Sequence, residues 1–196
     1  MTTGKRMLVM YYSLSGNTER VARDIATRLG ADIEKIGDLG NRRGILGYLR
    51  AAADSIRERP AQLADIGKHA HEYALTIVGT PIWAGKITPA VRAYLQTIRG
   101  RCNGIAFFTT SGSTPVSAVV PAMERLAGKQ AVASTGFNRD ELGSGPLYDR
   151  KMSAFLEELR REGRVSTDVP ETVGAPAGVG DIDARLDSIA AGAPQK

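Results

Sequence analysis

The chain has one cysteine, Cys102, and so closes no internal disulfide. Its fold must rest on a packed core, and such cysteine usage fits a reducing cytoplasm. Cys102 has no base beside it in sequence and reads as a structural thiol. No apolar run reaches the ~18 residues of a membrane-spanning helix, and the opening MTTGKRM lacks the apolar stretch of a secretory signal. The protein is therefore expected to be cytoplasmic. The two histidines, His69 and His71, lie in a polar stretch without a cysteine or acid cluster, so no metal site is expected. No Gly-Lys-Ser/Thr element marks a P-loop, and only Gly16 answers to a dinucleotide fingerprint. The basic residues are scattered, with no aromatic interleaving and no helix-turn-helix or RNA-binding signature, which argues against a nucleic-acid partner. No Ser-His-Asp arrangement can be assembled, and no catalytic residue is assigned.

What remains is a chain of 196 residues, 42% of them apolar, enough for one domain with length to spare. Its charge is uneven. Residues 165–196 carry five acids against Arg185 and Lys196, a net of −3, which leaves +8 of the overall +5 on residues 1–164. That terminal segment is rich in Gly, Ala, Pro and acids and lacks apolar periodicity, so it reads as a loosely ordered tail behind a domain spanning 1–164. The basic body can attract anionic small molecules or acidic proteins.

The densest information lies in MLVMYYSLSGNT, residues 7–18. Leu8 to Tyr11 reads as a buried strand, and Val21, Ala22, Ile25, Ala26 and Leu29 recur at helical spacing. Between them stand Ser13, Leu14, Ser15, Gly16, Asn17 and Thr18. The first backbone N–H groups of a helix lack internal partners and favour an anion, and the hydroxyls add donors. No Lys or Arg lies in the loop, so a phosphate would be held by neutral donors. The same residues also suit an ordinary helix start with Ser15 or Asn17 as cap.

Strand and helix patterns then alternate. Strands are expected at Asp32–Ile36, Tyr73–Gly79, Ile105–Thr110 and Ala131–Thr135. Helices are expected at Gly44–Arg59, Pro89–Ile98, Val116–Leu126 and Leu147–Arg161. Such alternation implies an α/β fold, a doubly wound five-stranded parallel sheet with helices on both faces. Ligands of such sheets sit beyond the carboxyl ends of the strands, where strand order reverses. The loops after the first, third and fourth strands are thereby singled out. The third-strand loop, Thr80, Pro81, Ile82, Trp83, Ala84 and Gly85, holds the sole tryptophan, a stacking plate for a flat ring or a packing residue between loop and helix. The fourth-strand loop, Thr110, Ser111, Gly112 and Ser113, is small and polar, so its backbone can approach a ligand closely.

Together the motifs Ser-Leu-Ser-Gly-Asn-Thr, Gly-Thr-Pro-Ile-Trp-Ala-Gly and Thr-Ser-Gly-Ser resemble the flavodoxin family over residues 5–162. The resemblance implies strand order 2-1-3-4-5 and a non-covalent FMN. Ser13, Ser15, Gly16, Asn17 and Thr18 would hold its phosphate, with Leu14 in the same loop. Thr80 to Gly85 would line the isoalloxazine, with a carbonyl at Ala84 or Gly85 able to turn towards the flavin. Ser111, Gly112 and Ser113, next to Thr110, would meet the pyrimidine edge.

Two features depart from the family pattern. No second aromatic stands on the Ser111–Ser113 loop, which leaves one flavin face open, and the body is basic where electron-carrier flavodoxins are acidic. Arg43, Arg50 and Arg57 repeat along one stripe of the second predicted helix. That stripe reads either as a solvated face or, at Arg42 and Arg43, as a dock for an acidic redox partner near the flavin mouth. The leading expectation is a redox protein passing electrons between partners. The alternatives are an FMN-dependent NAD(P)H reductase of quinones or similar acceptors, and a scaffold that kept the fold without the flavin. The phosphorylated receiver domains that share this topology are excluded, because Ser13 and Thr80 stand where they need acids.

Overall fold

The computed structural model describes residues 6–39 and 62–165. The predicted helix at 44–59, Arg42 and Arg43, and residues 166–196 of the predicted tail lie outside the described residues.

The first strand, β1, spans Met7–Tyr11, and its residues alternate between the two faces of the sheet: Leu8 and Met10 on one, Val9 and Tyr11 on the other. Both faces are covered, which is why the strands read as continuous apolar runs. Helix α1 follows at Asn17–Leu29, ends at left-handed Gly30, and buries Val21, Ala22 and Ile25. Next come β2 at Asp32–Lys35 and a 3-10 turn at Ala70–Glu72. Strand β3 runs Leu75–Trp83, β4 is the two-residue Lys86–Ile87, and α2 spans Pro89–Thr97. After β5 at Ile105–Thr110, a 3-10 turn at Val116–Ala118 leads into α3 at Val120–Ala127. Strand β6 is Ser134–Phe137, α4 is Arg139–Gly143, and α5 is Gly145–Val165.

The parallel strands are ordered β2-β1-β3-β5-β6, and β4 pairs antiparallel with β3. Setting β4 aside, this is the order 2-1-3-4-5, with the switch point between β1 and β3. Helices α2 and α3 cover the Leu8 face, while α1 and α5 cover the Val9 face.

Three expectations are corrected. The third strand does not stop at Gly79 but continues through Thr80, Pro81 and Ile82 to Trp83. Proline is tolerated there because β1 has ended, so β3 beyond Gly79 is an edge on that side. The fourth predicted helix is split, with a 3-10 turn before α3, and Pro121 opens the α-helical part. The fifth parallel strand lies at Ser134–Phe137, three residues later at its start than the pattern suggested.

Gly79 shows how closely neighbouring strands pack, since Phe108 is its partner on β5. A Cβ there would lie 2.0 Å from Phe108 Cζ, so the Phe108 ring occupies the space a side chain would need.

Candidate functional site

Helix α1 starts without a side-chain cap. Gly16, in the left-handed region at φ 93°, takes the N-cap position, so neither Ser15 nor Asn17 caps the helix. The first helical hydrogen bond runs from Arg20 N–H to Gly16 O at 2.9 Å. The N–H groups of Asn17, Thr18 and Glu19 precede that bond and are left to the loop side. Ser13 lies beneath, 6% exposed, and its Oγ accepts the Gly16 N–H at 3.1 Å, which fixes the turn. Leu14 points outward and is exposed. Thr18 is buried, and its Oγ1 lies 2.8 Å from Oγ1 of buried Thr110. One hydroxyl proton bridges the pair, so the first loop and the β5 loop are tied together at their base.

The turn after β3 is a tight hairpin. Ala84 and Gly85 connect Trp83 to Lys86, both at positive φ (48° and 72°), the sign required at both central positions of a type I′ turn. Trp83 is only 7% exposed and packs edge-on against Tyr12, ring centroids 5.8 Å apart at 82°. Thr80 turns away: it is buried, and its hydroxyl contacts Pro81 O at 2.9 Å and Thr88 Oγ1 at 3.1 Å. After β5, Ser111 N–H donates to Phe137 O at 3.0 Å and Ser111 Oγ donates to Thr114 O at 2.7 Å. These bonds leave Gly112 and Ser113 exposed at the tip.

A cavity of about 420 Å³ opens across this edge of the sheet. Ser15 and Asn17 line it from the first loop, Pro81, Ile82 and Trp83 from β3, and Thr110, Ser111 and Gly112 from the β5 end. Parts of all three predicted loops thus share one cavity. Ser13, Leu14, Gly16, Thr18, Thr80, Ala84, Gly85 and Ser113 do not line it. Ser13, Thr18 and Thr80 are buried.

A fourth wall was not anticipated. Arg20 of α1, with Arg139, Leu142 and Gly143 of α4, completes the cavity. Helix α4 is held by a capping box: Glu141 N–H donates to Asn138 Oδ1 at 2.9 Å, and Asn138 N–H donates to Glu141 Oε2 at 2.8 Å. Asn-x-x-Glu spacing is a legible start signal, but five residues offer too little periodicity to register as a helix. The Glu141 carboxyl is partly buried, which opposes ionisation. The Lys151 ammonium at 2.8 Å and the Asn138 N–H outweigh that burial and hold it below the usual glutamate range.

No carboxylate is among the described residues lining the cavity. Glu19, in the first turn of α1, is engaged by Arg23 at 2.8 Å and Lys35 at 3.5 Å, and the Arg23 hydrogen bond lowers its pKa. Arg20 lies over the Tyr148 ring, 5.4 Å from its centroid. Tyr148 is fixed by a 2.9 Å hydrogen bond to Asp24 and by the Phe137 ring 5.0 Å away.

The family model described as Flavodoxin matches residues 6–159. The chain belongs to the flavodoxin family. Its membership covers the sheet, all three loops and the α4 wall. No curated protein matches the sequence. Among solved structures, a flavoprotein of Lactobacillus acidophilus NCFM in complex with FMN is 22% identical, with TM-score 0.57, over 71% of this chain and 97% of that one. A putative flavoprotein of Bacteroides eggerthii is 15% identical, with TM-score 0.63, over 78% and 96%. Another, of Bacteroides uniformis, is 20% identical, with TM-score 0.59, over 71% and 96%. At these identities the likeness is one of fold. As in other members of the flavodoxin family, the strands' carboxyl ends meet the helix starts at one edge, and the cavity described above lies there.

A second cavity, of about 340 Å³, lies near the amino ends of the strands, between the segment 63–71 and the C-terminal end of α2. No described helix is long and apolar enough to cross a membrane, and among the described residues no group of three or more His, Cys, Asp or Glu could hold a metal.

Proposed function

We propose that this protein binds FMN non-covalently in the cavity at the carboxyl edge and transfers electrons between redox partners through it. The observation that carries the reading is the cavity itself, where an uncapped helix start, an indole and a close polar backbone converge. The open N–H groups of Asn17, Thr18 and Glu19, with the Ser15 hydroxyl, suit a phosphate. Pro81, Ile82 and Trp83 suit the edge of a flat ring system, and Ser111 and Gly112 suit its polar rim. FMN would supply the redox chemistry, while these residues bind and orient it. Family membership and the FMN-bound Lactobacillus flavoprotein support the choice of cofactor. In the same reading an acidic partner protein docks at Arg42 and Arg43.

Titration of the purified apoprotein with FMN tests the reading. Saturable quenching of flavin fluorescence at one equivalent is expected. Absence of saturable binding would overturn it in favour of a scaffold that retains only the fold.

One observation favours a second reading, an FMN-dependent reductase acting on a quinone or similar acceptor with NAD(P)H as donor. The Ser111–Ser113 loop brings no aromatic ring to face Trp83, so a flat substrate has access. Steady NAD(P)H oxidation with a quinone, without any added reductase, distinguishes this enzyme from a carrier.

A further inference from the structure

Two guanidinium groups, those of Arg20 and Arg139, line the carboxyl-edge cavity, and no carboxylate among the described residues does so. Neither makes an ion pair with a described residue. The contact that holds Arg20 is the neutral ring of Tyr148, which orients the guanidinium without cancelling its charge. The acids on the same helices are committed to other cations. Glu19 pairs with Arg23 and Lys35, Asp24 with Arg28 at 2.7 Å, and Glu141 with Lys151. Asp140, beside Arg139 in sequence, is exposed and does not line the cavity.

The placement also runs against helix electrostatics. Arg139 opens α4 and Arg20 is the fourth residue of α1, near helix starts where acids rather than cations are stabilising, and the first-turn acids Glu19, Asp140 and Glu141 do not line the cavity. The FMN phosphate, on the reading above, is met by the backbone donors at Asn17–Glu19. The two arginines line the same cavity from α1 and α4, and on this reading their charge is additional to those donors.

We infer that Arg20 and Arg139 form a second anion subsite in the flavin cavity, one that binds the carboxylate or phosphate of a small redox substrate entering beside the flavin. The inference rests on FMN occupying the cavity. It makes the substrate an anionic, flat molecule, and it sets this cavity apart from one that serves protein partners alone. A guanidinium meets either group through two parallel N–H donors, so carboxylate and phosphate share the recognition chemistry.

The test uses FMN-loaded full-length protein, three probes with one ring system (2-naphthoate, 2-naphthyl phosphate and the neutral 2-naphthalenemethanol) and poly-glutamate as a stand-in for an acidic protein. Perturbation of the flavin absorbance reads binding. Both anions are expected to bind about tenfold more tightly than the neutral probe, and the stronger of the two identifies the natural group. In Arg20→Gln/Arg139→Gln that advantage is expected to vanish, while the ratio of FMN to riboflavin affinity keeps its wild-type value. Equal binding of all three probes to the wild type overturns the inference but leaves FMN binding intact. A double variant whose FMN affinity falls to that of riboflavin overturns it too, because the arginines then hold the cofactor's own phosphate. So does an advantage seen only with poly-glutamate, which makes the pair a dock for an acidic protein. Failure of the wild type to bind FMN at all removes the flavin reading, and the subsite with it.

Discussion

The two ends of the sheet carry cavities of similar size and different electrostatic make-up. At the carboxyl end, helices α1 and α4 begin, and the uncapped N–H groups of α1 share the space with Arg20 and Arg139. At the amino end, helix α2 finishes at Tyr94, Thr97 and Ile98, over a floor that includes Leu63, Ile66 and Ala70. Cations are present there as well, Lys68 and Arg101, but Asp65 lines the same cavity, and Arg101 follows the C-terminal end of α2, where the peptide dipoles are negative and favour a cation. The same residue type thus has different meanings at the two ends. A parallel sheet wound with helices makes this unavoidable, since every helix that follows a strand starts at the carboxyl edge and runs back. That edge collects donors and has charge to offer a ligand.

The largest effect that separates the two ends is expected from Ser15→Asp. A carboxylate placed against the phosphate loop costs several kcal/mol, so FMN affinity should fall by roughly a hundredfold or more in a fluorescence titration. Thr97→Asp, in the amino-end cavity, should leave FMN affinity within about threefold of wild type. An equal loss from both variants would abolish the distinction between the ends.

Gly79→Ala comes next. The added methyl meets the Phe108 ring, and chemical denaturation should show a loss of about 2–3 kcal/mol of stability. Trp83→Ala should weaken FMN binding by stacking-scale energy, about 0.5–1.5 kcal/mol, together with lost burial. Unchanged affinity and flavin fluorescence would show that the indole serves only to pack against Tyr12. Asn138→Ala removes the cap of α4 and should cost about 1 kcal/mol of stability, and it should blunt the anion preference attributed to Arg139.

The smallest effect is one of pH. The folded pKa of Glu141 lies below its usual value of 4.5, so its contribution to α4 is complete above that value. The contribution fades as pH falls through the lower, folded pKa. Hydrogen exchange of the α4 amides should rise in that acidic window in the wild type, relative to its general pH dependence, and less so in Glu141→Gln.

Much of this molecule was legible one segment at a time. Met7–Leu29 spells strand, turn and helix because burial on both faces imposes a continuous apolar run and then a helical period, and Gly16 marks the break. The flavodoxin motifs follow from the same local logic. Other parts were hidden for definite reasons. Pro81 argued for a loop, and only the ending of β1 at Tyr11 explains why a strand passes through it. Asn138 and Glu141 carried a capping signal too brief to name a helix. Arg20 carries no signal of its own in the sequence, since charge on an amphipathic helix says nothing about what stands opposite.

Local pattern therefore decided the order of elements, the fold class and the three loops, because periodicity and turn chemistry are properties of neighbours along the chain. The tertiary structure alone decided that Thr18 meets Thr110, that Trp83 is packed on Tyr12, and that α4 closes a cavity lined by two arginines and by no carboxylate among the described residues. Those contacts join residues far apart in sequence, and whether a charge is cancelled or left for a ligand depends on what folding places beside it.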